Sequence, residues 1–146
     1  NCQLNMKLIK KLLAGIFWIC SLSPTIASDL TIEILNLKNN LGNIHIALFN
    51  SSVGFPYNDA IFSEKKTPIK NNKATTIFKN LPTGVYAIAA YHDENDNDEF
   101  DQSFLGIPSE DFGFSNGARV FFGPPSFNQA KFFIQKINET KTINLN

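Results

Sequence analysis

The sequence predicts an all-β fold: an antiparallel β-sandwich of about seven short strands with one long ordered loop. Three observations predict it. Short segments alternate apolar and polar residues, clusters of Asn, Gly and Pro separate them, and no stretch after residue 28 repeats its apolar side chains with a helical period. Alternation buries one face of a strand and wets the other, and many such strands close up as two layers.

The elements follow in order. Leu30-Thr31-Ile32-Glu33-Ile34 alternates, and the Asn39–Asn43 turn cluster is expected to join it to Ile44–Phe49 as a hairpin. A strand near Ala60–Glu64 comes next. Ala74–Phe78 is β-branched and aromatic and closes at Leu81-Pro82-Thr83-Gly84. Val85–His92 is another strand, with Tyr86, Ile88, Ala90 and His92 on one face. Asp101–Gln129 reads as one ordered surface excursion, with a helical turn near Ser109–Phe112 and a short strand at Val120–Phe122. Its aromatic content argues against disorder. Ala130–Ile137 and Thr140–Leu145 flank Asn138-Glu139 as a terminal hairpin.

Residues 1–27 read as an export leader and residues 28–146 as a single sandwich domain. Lys7, Lys10 and Lys11 form a basic start, an apolar run spans Leu12–Leu22, and Thr25-Ile26-Ala27 places small residues before a cut at Ser28. Met6 is the natural start, leaving Asn1–Asn5 upstream. The run is shorter than the roughly 20 residues a spanning helix needs, so no membrane span is expected after cleavage and the compartment is periplasmic or secreted. Cys20 is a poor lipid-attachment site because the bulky Phe17-Trp18-Ile19 precedes it. Both cysteines, Cys2 and Cys20, fall before the cut. The mature domain then has no disulfide, no thiolate metal site and no cysteine nucleophile.

The whole chain has a formal charge of zero, yet three lysines belong to the leader, which leaves 10 basic against 13 acidic side chains in the domain. Arg119 is the sole arginine. With no basic stripe to neutralise phosphates, nucleic acid is excluded as a partner. Of the 14 phenylalanines most are expected in the core, while Phe112, Phe114, Phe122 and Phe127 are candidates for an exposed binding surface.

The strongest chemical signal is the run from His92 to Asp101. Asp93, Asn95, Asn97 and Asp101 occupy the first, third, fifth and ninth positions of a calcium loop, with the Glu99 carbonyl at the seventh. Calcium takes six to eight hard oxygens, and this spacing gathers them round one point. Two positions depart from the pattern: Asp98 stands where Gly usually makes the sharp turn, and Phe104 where a bidentate Glu belongs. Glu110 or Asp111 is expected to complete the shell. Crowded carboxylates repel unless a cation sits among them, which is why Ca2+ is the expected cofactor. His92 and His45 read as structural, and no spacing links them as a zinc pair.

Gly113-Phe114-Ser115-Asn116-Gly117 matches the nucleophile-elbow pattern G-x-S-x-G but lacks the strand before it and the helix after it, and both histidines lie upstream. It is a chance match.

Four blocks in order carry a resemblance: Leu81–Ile88 running into His92–Asn97, then Phe104–Glu110, Gly113–Asn116 and Phe122–Phe127. Together they resemble the bacterial domain-of-unknown-function family 2141, an exported family without established activity. Its acidic loop usually has Gly at the positions of Asp96 and Asp98. A weaker similarity, in the Leu-Pro-x-Gly-x-Tyr turn, is to Ig-like, transthyretin-like and collagen-adhesin B-type sandwiches, and it speaks to fold only.

The expected function is a calcium-stabilised, non-enzymatic binding or scaffolding module for a glycan, peptide or envelope protein. The alternatives are a metal-assisted hydrolase using Asp93, His92 or Glu110, and a purely structural envelope component.

Overall fold

The computed structural model describes residues 27–119, 122–135 and 138–146. The leader, apart from Ala27, lies outside the described residues, as do Val120 and Phe121 of the expected short strand.

Among the described residues, eight strands are formed: β1 (Ala27–Leu35), β2 (Asn43–Phe49), β3 (Ser63–Pro68), β4 (Ala74–Pro82), β5 (Gly84–Asp93), β6 (Phe112–Phe114), β7 (Phe132–Ile134) and β8 (Asn138–Asn144). They make a three-stranded sheet in the order β4-β1-β8 and a larger sheet in the order β3-β2-β5-β6, with β7 also pairing β5. All pairs are antiparallel except β1 with β8. The all-β sandwich expected from the alternation is the fold.

The core lies between the sheets. Leu30, Ile32 and Ile34 from β1 face Ile44, Ile46 and Leu48 from β2 and Tyr86, Ile88 and Ala90 from β5, with Phe78, Ile134 and Ile143 completing the layer. A smaller cluster of Ala87, Phe114 and Ala130 packs with Phe55, Phe112 and Phe127. There Phe55 stands edge-on to Phe49, Phe114 and Phe127 at ring separations of 5.0, 6.1 and 5.6 Å.

Several local expectations are corrected. β1 and β2 are not a hairpin; they belong to different sheets, because each buries alternate residues and the two apolar faces meet across the sandwich. The chain crosses over through left-handed Asn36 and Gly42. The terminal hairpin is also absent: β7 pairs β5, while β8 runs parallel to β1 in the opposite sheet. The strand expected near Ala60–Glu64 lies at Ser63–Pro68, and Phe122 is not in a strand. The Asp101–Gln129 excursion is not wholly superficial, since Phe112–Phe114 forms β6 on the β5 edge and Gly113, Phe114 and Ser115 are buried. The turn near Ser109–Phe112 is not helical; short helical turns form instead at Ser115–Gly117 and Phe127–Ala130.

Tyr86 pins the crossover between β4 and β5. Its hydroxyl donates to the Pro82 carbonyl at 2.8 Å, a corner that fixes the chain as it changes sheets. Tyr86→Phe removes that bond while keeping the ring, and should cost about 1 kcal/mol in urea denaturation. Ile46→Ala, which opens a cavity at the centre, should cost roughly 2–5 kcal/mol by the same measurement.

Candidate functional site

The acidic loop begins where β5 ends. His92 and Asp93, the last residues of β5, are both fully buried, so the loop starts from inside the protein. A buried carboxylate must be solvated by protein groups. Asp93 accepts main-chain N–H bonds from Asn97 and Asp98, both at 3.0 Å, one on each oxygen. Those two bonds fold the loop back over its own start.

The following turns use the same chemistry. The Asn95 side-chain oxygen accepts from the Asn97 N–H at 3.2 Å, and that of Asn97 from the Glu99 N–H at 2.9 Å. Asp96 and Asp98 sit at φ 59° and 63°, in the left-handed region that favours Gly. Asp tolerates that conformation better than most side chains. The amides of Asn95 and Asn97 then converge on the Asp101 carboxylate, at 2.7 and 3.1 Å on its two oxygens.

Of the residues expected to hold a cation, Asp93, Asn95, Asn97 and Asp101 are thus linked side by side. The two expected completing residues are used differently. Glu110 accepts from the main-chain N–H groups of Glu94 and Asp101 at 3.3 and 3.1 Å and clasps the two ends of the loop. Asp111 pairs with Lys38 at 2.6 Å, raising the Lys38 ammonium pKa through that hydrogen bond.

Three basic or polar groups were not visible as part of this site in the sequence. Lys66 stands 2.5 Å from both Asp96 and Asp98. Hydrogen bonds from Lys66 first, then Asn43, hold the Asp96 carboxyl below its ordinary range. His45 Nε2 lies 3.2 Å from Asp93 and 3.3 Å from Asp98, its ring stacked on Tyr91 at 4.8 Å. Gly42, from the β1–β2 crossover, presses against the loop so closely that an added Cβ would sit 1.8 Å from the Asp93 carbonyl oxygen. The neighbouring Leu41 carbonyl is 2.7 Å from His92 Nε2. His92 is therefore a structural residue that ties the crossover to β5.

The expected aromatic surface is corrected. Phe114 is buried in the smaller core, and half-buried Phe112 and Phe127 pack against it, Phe112 from β6 on the β5 edge and Phe127 from the helical turn Phe127–Ala130. Phe122 is 94% exposed. The sequence reading missed the exposed tip Phe104-Leu105-Gly106-Ile107, whose Phe104 is 96% exposed. The tip is a tight turn closed by Ser103 N–H to the Ile107 carbonyl at 2.8 Å, and anchored where Ser109 N–H bonds the Asp101 carbonyl at 3.0 Å. Nothing in the residues Phe104–Ile107 themselves distinguishes an exposed tip from a buried segment.

Ser115 is a buried brace. Its hydroxyl donates to the Ala130 carbonyl at 2.6 Å and accepts from the Ile88 N–H at 2.9 Å.

Among known proteins, the family model described as "uncharacterized protein conserved in bacteria (DUF2141)" matches residues 32–142. No curated protein matches the sequence. Among solved structures, the chain is similar to the pilus-presented adhesin Spy0125 (Cpa) at 16% identity and a TM-score of 0.28, covering 83% of this chain and 27% of that one. The chain thus spans about a quarter of that adhesin's length. No helix among the described residues is long and apolar enough to cross a membrane.

Two predictions follow from the loop's geometry. Glu110→Gln should leave the sandwich folded but speed hydrogen exchange at the Glu94 and Asp101 amides, measured by NMR, because a charged clasp becomes a weaker neutral one. Tyr91 is pushed up to about 12, by burial first and then by the charges of Asp93, Glu110, Asp98 and Glu64. A raised folded value means stability is intact below the unfolded value near 10 and is lost as pH rises toward 12. Of the three tyrosines, Tyr91 should be the last to ionise in a 295 nm titration, and Tyr91→Phe should flatten the loss of melting temperature in that window.

Proposed function

We propose that this chain, which belongs to the DUF2141 family of bacterial proteins, is an exported, non-enzymatic binding or scaffolding domain whose acidic loop is clamped by calcium. Export is supported by the basic start, apolar run and small-residue cut site of residues 1–27.

One observation carries the calcium reading: the Asn95 and Asn97 side chains meet at the Asp101 carboxylate beside Asp93. Turning both amides by half a rotation replaces each donor NH2 with an acceptor oxygen at that point and gives up the bonds from the Asn97 and Glu99 N–H groups. The side-chain oxygens of Asp93, Asn95, Asn97 and Asp101, with the Glu99 carbonyl, are then an all-oxygen set suited to calcium. The six carboxylates between Asp93 and Asp101 supply the negative charge.

The ion's role in this reading is mechanical. Asp101 begins the turn that presents Phe104, Leu105 and Ile107, so fixing Asp101 fixes the tip. An apolar tip held rigidly by a cysteine-free domain is a surface for a glycan, a peptide or an envelope protein, bound at low entropic cost.

Calorimetric titration of the purified protein tests this. Calcium should bind with a Kd on the order of 0.1–1 mM, the range of extracellular modules. A hundredfold excess over Kd should stabilise the fold by about 2.7 kcal/mol, with EDTA reversing the gain. Asp101→Asn should abolish both effects; a melting temperature indifferent to calcium and chelator would refute the clamp.

A further inference from the structure

A cluster of ligand-type side chains shares Asp93 with the loop. Three side chains from separate parts of the chain bring their ligand atoms together: His45 on β2, Asp93 at the end of β5 and Asp98 in the loop, all within 4.8 Å of one another. Two of the edges are 3.2 and 3.3 Å, both from His45 Nε2. A tetrahedral ion with bonds of ~2.0–2.1 Å to nitrogen and oxygen sets its ligand atoms ~3.3 Å apart.

His45 Nε2 itself is the independent sign. The atom is shielded from solvent and has no hydrogen-bond partner, although two carboxylate oxygens stand within ion-pairing distance. Neither oxygen lies where a ring N–H would complete a bond to it. The ring is held in place by its stack on Tyr91, and Asp93 by its two main-chain bonds, so two of the three ligands are oriented in advance. Only Asp98, which is exposed, and Lys66, which pairs with it at 2.5 Å, need to move.

We propose that His45, Asp93 and Asp98 bind a first-row divalent cation of the zinc class, with water as the remaining ligand and the Lys66 ammonium displaced. The nitrogen donor separates this site from the calcium cage, since imidazole suits zinc and its neighbours while calcium takes oxygen. The ion would join β2 to the loop after β5, a link no disulfide can make among residues 28–146.

The test is zinc titration of the metal-free protein, followed by calorimetry and by imidazole nitrogen NMR. The chain has two histidines, and His92 already has its Nε2 against Leu41, so the assignment is direct. Zinc should shift the His45 Nε2 resonance and leave that of His92 in place. His45→Gln should weaken zinc binding more than tenfold, beyond the loss of roughly 10–100-fold seen even for outer-shell groups at its lower end. The same variant should leave the calcium isotherm unchanged, whereas Asp101→Asn should do the reverse, which separates failure of one site from failure of the other. Zinc binding of equal strength in wild type and His45→Gln, or no shift at His45 on saturation, would overturn the proposal.

Discussion

A carboxylate buried without exposure at the end of a central strand is the constraint on which this structure turns. Leaving Asp93 ionised and unsolvated would cost several kcal/mol, so the chain must supply donors to it. It does so with its own main chain: the loop curls until the Asn97 and Asp98 N–H groups reach the two Asp93 oxygens. The left-handed turns at Asp96 and Asp98, unfavourable for a branched side chain, are the conformations this curl demands. Loop shape, the position of Asp98 and the approach of His45 all descend from that one buried group.

The surrounding fold is arranged to hold this loop end. The β1–β2 crossover passes so near that only Gly fits at position 42, and Leu41 and Asn39 reach His92 and Glu94. From the other side Glu110 clasps both ends of the loop just before β6 begins. Two connections distant in sequence therefore close on nine residues. In a sequence that offers no thiol after residue 28, this polar lattice ties the loop down as a disulfide could.

The sandwich and the acidic loop were legible in the sequence because both signals are local. Alternation in Leu30–Ile34 and Ile44–Leu48 survives in the structure residue by residue, and Asp93, Asn95, Asn97 and Asp101 lie close enough to meet without help from the rest of the chain. Pairing was not legible. Nothing in β1 and β2 says whether they lie side by side or face to face; both arrangements bury the same residues. His45 and Lys66 joined the site only through register, β2 setting His45 against Lys66 on one side and Tyr91 on the other. Phe112 and Phe114 failed as surface candidates for the same reason, since a phenylalanine's identity does not reveal which strand edge it will meet. Phe104 and Phe114 are the same residue type, one almost wholly exposed and one in the core.

The balance of charge in the loop also limits how tightly any cation can be held there. Repulsion among the carboxylates is already relieved by Lys66, by the Asn43 amide and by the donor amides on Asp101. An incoming ion gains Coulomb energy from the same oxygens but must turn two Asn amides away or displace an ammonium, so only the difference is left as affinity. For the calcium proposed above, the consequence is weak and exchangeable binding, on the order of 0.1–1 mM. At the proposed His45 site the Nε2 has no hydrogen bond to give up, while Asp98 must still release the Lys66 ammonium.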